Sequence, residues 1–234
     1  MRSVTEKAAA LFAFIELVVT VFILIVMMRL FNRHIWQLRR LWSKAQQILL
    51  GYDVMIKGEP DPEAGLVLMN HQSLLDITVV DGIYPKNLSW VAKKEIRDIP
   101  FYGQIMSLPK MITIDREDRK SLVLLFKQAK ARLAEGRVIA MFPEGTRGDG
   151  KTILPFKAGA KLLAEKLNLK VQPIVIVNTR YILDSKKFTA HHGRVVVVYL
   201  DAIDPKEDPE WFKKLHQKMQ DTLTKELSQL SVNP

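Results

Sequence analysis

His71 and Asp76 are the residues best suited to chemistry, because an imidazole and a carboxylate brought together can act as one acid–base unit. They lie within residues 70–76, directly after the apolar run 65–69, which is typical of a buried strand. A carboxylate bonded to one imidazole nitrogen fixes the tautomer and leaves the other nitrogen available as a base. We therefore interpret His71 as a candidate general base that Asp76 orients.

A second histidine and aspartate with the same spacing, His216 and Asp221, lie in different surroundings. Both belong to a charged amphipathic pattern over residues 209–230 that predicts a helix, on which five positions turn the side chains about 140° apart. His71 instead lies in a loop, and Ser73 is predicted to be the N-cap of the next helix. That loop can bring the imidazole back over the carboxylate. Taken alone, the motif leaves open a capped turn with a structurally satisfied histidine.

Another polar loop follows the predicted strand 137–142 and reads Phe-Pro-Glu-Gly-Thr-Arg over residues 142–147. Beside Glu144, Gly145 lets the backbone approach a ligand closely, and Thr146 offers a hydroxyl. Arg116, after a further predicted strand, can hold two phosphate oxygens in a fixed fork. These features suit a phosphorylated ligand. An ordinary turn and a salt bridge of Arg116 with a neighbouring acid are the alternatives.

The remaining candidates are supporting cations and a pair of histidines. Lys93, Arg147 and Lys157 can support an anionic ligand, although surface lysines are more often solvated. His191 and His192 resemble metal ligands only superficially, because they lie in a polar loop without a nearby acidic partner. The chain has no cysteine, which excludes disulfides, thiolate catalysis and thiolate metal sites. We therefore expect no metal site.

Four ordered blocks of the chain resemble the glycerolipid acyltransferase family of lysophosphatidate and glycerol-3-phosphate acyltransferases. They are residues 70–76, 114–116, 142–147 and 171–174. The connecting residues 90–95 and 99–103 are similar to the bacterial lysophosphatidate branch, so that the resemblance spans roughly residues 52–200. The sequence departs from the family at Lys110 and Thr113, where glycine and an aromatic residue are usual, in the block that borders the acceptor site.

The resemblance implies transfer of an acyl chain from a thioester to the sn-2 hydroxyl of lysophosphatidate, which gives phosphatidate. His71 and Asp76 would be catalytic. The implied acceptor-binding residues are Lys93, Arg116, Glu144, Gly145, Thr146 and Arg147. Acyl-CoA or an acyl-carrier protein would be the donor, and no cofactor or metal is required. Glycerol-3-phosphate or another lyso-lipid is the alternative acceptor.

Short apolar runs alternate with helical stretches over residues 51–234. This pattern predicts a single α/β domain in which helices flank a mixed sheet and position these residues. Strands are predicted near residues 54–57, 65–69, 88–92, 111–114, 137–142, 171–177 and 194–200. Helices are predicted over residues 73–82, 118–135, 157–167 and 209–230.

Residues 1–50 form a separate part that is predicted to be a membrane-associated helix pair. The apolar run 8–28 contains Glu16 as its one charge and is long enough to span a bilayer. Residues 33–50 follow a helical pattern with two tryptophans and with Arg39, Arg40 and Lys44 as candidate headgroup contacts. Packing of this second helix on the domain, and a cleaved signal peptide, are the alternatives. The basic flank predicts a cell-membrane protein whose catalytic domain faces the cytoplasm.

The charge balance indicates an anionic partner, because 35 Lys and Arg residues oppose 25 Asp and Glu residues and leave a net charge of +10. Half of that excess lies in residues 1–50, which favours a phospholipid surface over nucleic acid. A basic membrane- or nucleic-acid-binding module is the non-enzyme alternative, but the globular part lacks aromatic residues interleaved with Lys and Arg. A serine hydrolase is disfavoured, since no Gly-x-Ser-x-Gly elbow occurs.

Overall fold

The apolar runs after residue 51 pair into one seven-stranded sheet in the computed structural model, which describes residues 2–115 and 121–232. The strands in chain order are β1 (Tyr52–Lys57), β2 (Leu66–Met69), β3 (Leu88–Lys93), β4 (Ile112–Ile114), β5 (Val138–Met141), β6 (Val171–Val177), β7 (Leu183–Asp184), β8 (Thr189–Ala190) and β9 (Gly193–Tyr199). The sheet order is β1-β9-β6-β2-β5-β3-β4, and β6 pairs with β9 antiparallel, whereas the other neighbours are parallel. The predicted mixed sheet and its seven strands are confirmed.

Helices flank this sheet and precede it. In chain order they are α1 (Arg2–Leu30), α2 (Ile35–Leu49), α3 (Leu75–Ile83), α4 (Lys94–Arg97), α5 (Gln104–Ser107), α6 (Ser121–Ala134), α7 (Ala158–Lys166), α8 (Thr179–Ile182) and α9 (Trp211–Val232), with a 3-10 turn Asn32–His34 between α1 and α2. The long predicted helices are confirmed, except that residues 118–120 of one lie outside the described residues. The one-turn helices α4, α5 and α8 and the β7–β8 hairpin were not predicted, since such short segments carry no periodicity.

The core strands are apolar on both faces because helices cover both sides of the sheet. Leu66 and Leu68 of β2 pack in a core with side chains of α6, α7 and α9. Val67 and Met69 point to the opposite face and pack with side chains of α3 and with Ala13 of α1. Successive residues of a strand alternate between faces, so one short apolar run contributes to both layers.

The parallel strands bring three of the four blocks, and the connecting residues 90–95, to the carboxyl ends of neighbouring strands. The chain leaves β2 at Met69, β3 at Lys93, β4 at Ile114 and β5 at Met141, and each of these strands is parallel to its neighbour in that set. Their carboxyl ends therefore lie along the same side of the sheet, where ligand sites of α/β folds occur.

Helix α2 packs on α3 through polar rather than apolar side chains. Arg39 forms an ion pair with Asp81, and the Ser43 hydroxyl donates a hydrogen bond to the Thr78 carbonyl. One helical turn further, the Gln46 amide donates to Glu16 of α1 over 2.8 Å. The prediction that Arg39 contacts lipid headgroups is wrong, because its side chain is only 4% exposed and is paired inside the protein.

The outward face of α1 is apolar, and that of α2 is partly apolar, because Gln37 and Lys44 are exposed beside Leu41 and Ile48. Residues Thr5–Leu30 form a helix long and apolar enough to cross a membrane, with a mean hydropathy of 2.9. Leu41 and Ile48 of α2 are 66% and 83% exposed. Exposed apolar side chains of α1 are Leu11, Phe12, Ile15, Val18, Val19, Phe22 and Ile23. A contiguous apolar surface of this kind is typical of proteins that contact lipid or a partner.

The α2–α3 contact generates the first prediction. A β-carbon at Gly82 would overlap the buried Ser43 oxygen, whereas a β-carbon at the helical Gly159 of α7 meets no atom within 4 Å. Both changes to Ala gain helix propensity, so the difference between them isolates the overlap. We expect Gly82→Ala to be less stable than Gly159→Ala by about 2 kcal/mol, measured by urea unfolding in detergent. Equal stabilities would show that α2 moves away from α3 without cost.

Candidate active site

His71 and Asp76 form a directly bonded pair. The imidazole Nδ1 lies 2.7 Å from Asp76 Oδ2. An ionised carboxylate only accepts hydrogen bonds, so Nδ1 carries the proton and Nε2 is the basic nitrogen. The His71 side chain is 17% exposed, whereas that of Asp76 is fully buried. The imidazole is therefore accessible from outside while its partner is shielded from water.

Asp76 is held by hydrogen bonds from two separate segments, the loop 71–73 and Thr179. Oδ2 also accepts from the backbone N–H groups of Gln72 (2.6 Å) and Ser73 (2.9 Å), and Oδ1 accepts from the Thr179 hydroxyl (2.5 Å). Burial of a carboxylate is costly unless donors replace water, and here every side of it has a donor. The carboxylate thus ties the His71 loop, the start of α3 and the chain after β6 together.

Ser73 does not cap α3. The helix begins at Leu75 and its N-cap is Leu74, which makes no side-chain cap bond. The Ser73 hydroxyl donates to the Leu183 carbonyl over 2.7 Å and accepts from the Leu75 N–H over 3.3 Å. The predicted N-cap position is therefore one residue too early, although the Ser73 hydroxyl accepts a hydrogen bond from a backbone N–H of the first turn, as predicted. The hydroxyl proton is directed to the hairpin and not to His71.

Glu144 fixes the His71 loop from the opposite side. Its Oε1 accepts from the His71 backbone N–H and its Oε2 from the Leu154 N–H, both at 2.7 Å. Burial, opposed by these two hydrogen bonds, raises the pKa of Glu144 to about 7. Both of its oxygens are thus bonded to the protein itself. Its role in binding an acceptor stays a prediction.

The rest of the 142–147 loop presents groups to the same region. Gly145 adopts a φ of 72°, a left-handed conformation that favours glycine, and a β-carbon there would lie 3.0 Å from Lys157 Cε. Thr146 is exposed. Arg147 is half-buried, and its guanidinium donates to the Ser185 hydroxyl over 2.9 Å. Their predicted roles in acceptor binding also stay predictions.

Lys93 and Arg116 are two further predicted ligand contacts, and the structure describes only the first of them. Lys93 is exposed at the carboxyl end of β3 and lies opposite Ile114 in the pairing with β4. Arg116 lies outside the described residues. Lys94 and Asp115 form an ion pair with Nζ and Oδ2 3.8 Å apart, so a cation already faces the end of β4.

A cavity of about 290 Å³ opens at the carboxyl ends of β3, β4 and β5, and Phe142, which stacks on His71, lines it. Its walls are mostly apolar, and Lys157 supplies a cation. The residues that line it include Val91, Ile114, Leu122, Leu125, Met141 and Phe142. Asp115 also lines the cavity, so the mostly apolar walls suit the apolar part of a ligand and carry one carboxylate beside the Lys157 cation.

The other histidines have different surroundings. His216 Nε2 lies 3.2 Å from the carbonyl oxygens of both Ile153 and Leu154, and Asp221 accepts instead from Gln217. The expected separation of His216 from Asp221 is confirmed. His191 stacks on Tyr181 with ring centroids 4.4 Å apart. Within residues 2–115 and 121–232, no group of three or more acidic, histidine or cysteine side chains is placed to hold a metal ion.

Sequence reasoning missed two residues that contact the candidate base or its partner. Thr179 bonds Asp76, and Phe142 stacks on the His71 ring with centroids 3.9 Å apart. Both follow the carboxyl end of a strand, and this position in the sequence could have identified them as candidate site residues. The assembled site offers a shielded carboxylate, an accessible imidazole and an adjoining apolar cavity, which suits removal of a proton from a hydroxyl group.

Glu144 generates a prediction on the pH dependence of stability. Because its pKa in the folded protein, about 7, exceeds the ordinary value of 4.5, the unfolded chain loses this proton first as pH rises. Its stabilising contribution is complete below about pH 4.5 and declines until about pH 7. We expect the stability of wild type relative to Glu144→Gln to fall by about 3 kcal/mol across that window in urea unfolding.

Asp149→Asn is the control of opposite sign. Hydrogen bonds from the Thr152 and Lys151 backbone hold the pKa of Asp149 below its usual value. Its contribution is therefore present above the unfolded pKa and is lost as pH falls. A Glu144→Gln difference that stays constant from pH 4 to 8 would contradict the prediction.

Comparison with known proteins agrees with this geometry. Residues 54–177 match the Acyltransferase family. The chain is 43% identical over 185 residues to a 1-acyl-sn-glycerol-3-phosphate acyltransferase of Helicobacter pylori, with 78% of each chain covered. It is 30% identical over 198 residues to a Saccharomyces cerevisiae protein of the same name, covering 80% of this chain and 65% of that one.

The fold has a solved counterpart. The crystal structure of the 1-acyl-sn-glycerophosphate (LPA) acyltransferase PlsC from Thermotoga maritima superimposes with a TM-score of 0.76 at 23% identity, over 99% of this chain and 98% of that chain. The arrangement of sheet and helices is thus shared along nearly the whole chain. The family match over more than half of the sequence establishes that this protein belongs to the acyltransferase family.

Proposed function

We propose that this acyltransferase transfers an acyl chain from a thioester to the sn-2 hydroxyl of lysophosphatidate and releases phosphatidate. The observation that carries the proposal is the His71–Asp76 pair, whose Nδ1 is bonded to the buried carboxylate and whose ring is accessible beside the apolar cavity. The names of the similar proteins from Helicobacter pylori and Saccharomyces cerevisiae support lysophosphatidate as the acceptor.

In the proposed mechanism, His71 Nε2 removes the hydroxyl proton as the acceptor oxygen attacks the thioester carbonyl carbon. Asp76 accepts the hydrogen bond from Nδ1 and stabilises the imidazolium that forms. The tetrahedral intermediate then collapses, its carbon–sulfur bond breaks, and the departing thiolate takes the proton from Nε2. The products are a free thiol and the new ester, and the imidazole returns to its starting state.

Acceptor recognition requires cations for the phosphate. Arg147 and Lys93 lie in or beside the loops at the carboxyl edge, and we assign them to the phosphate together with Arg116, on the basis of the sequence. Gly145 and Thr146 would face the glycerol backbone, with Glu144 holding the loop in place. Acyl-CoA or an acyl-carrier protein is the proposed donor, and the mechanism uses no cofactor or metal.

We further propose that residues 1–50 attach the enzyme to the membrane and that residues 51–234 form the catalytic domain on the cytoplasmic side. The exposed apolar faces of α1 and α2 support contact with lipid tails. The basic residues that follow the apolar run support the cytoplasmic orientation. Under this arrangement the acceptor reaches the site from the bilayer.

The function is tested by supplying purified enzyme with acyl-CoA and acyl-carrier protein donors in turn, each with lysophosphatidate, glycerol-3-phosphate or a zwitterionic lyso-lipid. Mass spectrometry of the products identifies the acceptor. We expect phosphatidate from lysophosphatidate. Acylation of glycerol-3-phosphate alone, or of the zwitterionic lyso-lipid alone, would replace the proposed acceptor, and no product from any pair would refute acyl transfer.

His71→Ala is expected to lower phosphatidate formation by at least about 10² to 10⁴, the usual contribution of a general base. His216→Ala is the matched control, because His216 has the same spacing to an aspartate but bonds carbonyl groups of another loop. The rate for His216→Ala should stay near that of wild type. Equal losses in the two variants would remove the assignment of His71 as the base.

Transfer is expected to proceed without an acyl-enzyme. The chain has no cysteine, and the Ser73 hydroxyl is buried and bonded to the Leu183 carbonyl. Incubation with labelled donor alone should leave no label on denatured protein, and the kinetics should be sequential. Ser73→Ala should retain most of its turnover. A stoichiometric adduct on Ser73 that the acceptor discharges would establish a two-step mechanism instead.

A further inference from the structure

The imidazole of His71 is one end of a row of stacked aromatic rings. The Phe142 ring lies nearly parallel to it, with centroids 3.9 Å apart and an interplanar angle of 12°. Trp90 of β3 stacks with Phe142 in turn, at 5.5 Å and 24°. His71 and Phe142 follow β2 and β5, and Trp90 lies within β3, so the stack is a tertiary contact and not a local one.

The far end of this row is anchored by a buried ion pair. The Trp90 indole N–H donates to Asp81 Oδ1 over 3.0 Å, and the same oxygen is paired with Arg39 of α2. The Arg39 and Asp81 side chains are both almost fully buried. A second guanidinium, that of Arg137, donates to the Leu88 carbonyl, which Arg39 also contacts. Burial and the proximity of Arg39 lower the pKa of Arg137 to about 10.

The hydrogen bond to Asp76 restrains the imidazole at one atom only. A bond at Nδ1 tolerates small changes of the His71 χ1 and χ2 torsions, and these changes displace Nε2 on the far side of the ring. The Phe142 ring stacked at 3.9 Å limits these displacements on one face of the imidazole. Since the reacting atoms must meet within a few tenths of an ångström of the productive geometry, loss of this restraint lowers the rate.

We propose that Phe142 is a positioning residue for His71, and that Trp90, Asp81 and Arg39 hold Phe142 in place, so that the seating of α2 on the domain controls the orientation of the catalytic base. This inference rests on the proposed role of His71. It adds to that role a continuous series of contacts from α2 to the His71 ring, through Arg39, Asp81, Trp90 and Phe142.

Phe142 also lines the cavity, so a direct contact with substrate is the competing explanation. The two explanations differ in the kinetic constant that changes. A positioning residue affects kcat and leaves the KM of both substrates unchanged, whereas a substrate contact raises KM. They also differ in dependence on His71, because a residue that acts through the imidazole has no effect once the imidazole is absent.

The experiment measures kcat, both KM values and the melting temperature of Phe142→Leu, Phe142→Tyr and Trp90→Phe. We expect Phe142→Leu to lower kcat by about tenfold or more, and Phe142→Tyr, which keeps the ring, to restore it. Trp90→Phe keeps a ring but loses the bond to Asp81, so an intermediate loss of kcat is expected. Phe142→Leu in a His71→Ala background should cause no further loss.

Phe156→Leu is the matched control, because Phe156 contacts His216 edge-on at 4.8 Å away from the site. Its kcat should equal that of wild type even if its melting temperature is lower. A kcat within twofold of wild type for Phe142→Leu, a change confined to KM, or an equal loss in the His71→Ala background would each overturn the inference. If Phe142→Leu does not fold, an unchanged kcat for Trp90→Phe overturns it and a reduced one supports it.

These results separate the inference from the function on which it rests. If wild type transfers no acyl group to any acceptor, the proposed function fails. If wild type is active, His71→Ala is inactive and Phe142→Leu is normal, only the positioning role fails.

Discussion

The burial of the Asp76 carboxylate is the constraint on which the rest of the site depends. A carboxylate without access to water needs donors at both oxygens, and here they come from residues 71–73 of the histidine loop and from Thr179 after β6. Meeting that demand holds the histidine against the carboxylate and bonds α3 to the chain that follows β6, a strand that already pairs with β2. One costly group thereby organises a site from segments about a hundred residues apart.

A second buried carboxylate completes the restraint on His71. Glu144 bonds the His71 backbone N–H, whereas Asp76 bonds its ring, so the main chain and the side chain are fixed by different loops. Two backbone donors only partly offset the loss of water around the Glu144 carboxylate, so burial raises the pKa of Glu144 to about 7. The histidine is thus preorganised before substrate arrives, which is the condition for an efficient general base.

The strands and the histidine–aspartate pair could be predicted because both depend on local pattern. Apolar runs of four to seven residues identify strands, and a loop position before a helix distinguishes His71 from His216. Thr179 and the Phe142 stack could not be predicted in the same way, since their partners lie far away in sequence and the direction of a side chain across a sheet edge is not encoded in spacing. Glu144 was predicted as a ligand contact, yet both of its oxygens bond backbone groups that only the folded chain brings near.

Helix α2 shows where local pattern misleads. Counted along the sequence, Arg39 is one of several cations on an amphipathic helix, and such a face ordinarily points outward. In the structure the stripe of Arg39, Ser43 and Gln46 points inward, whereas Leu41 and Ile48 point outward. The outward face also carries the exposed Gln37 and Lys44, so it combines apolar and polar side chains, as helices at a lipid interface do. Because its inward stripe packs on α3, which carries Asp76, the element that is proposed to contact the membrane also supports the candidate His71–Asp76 pair.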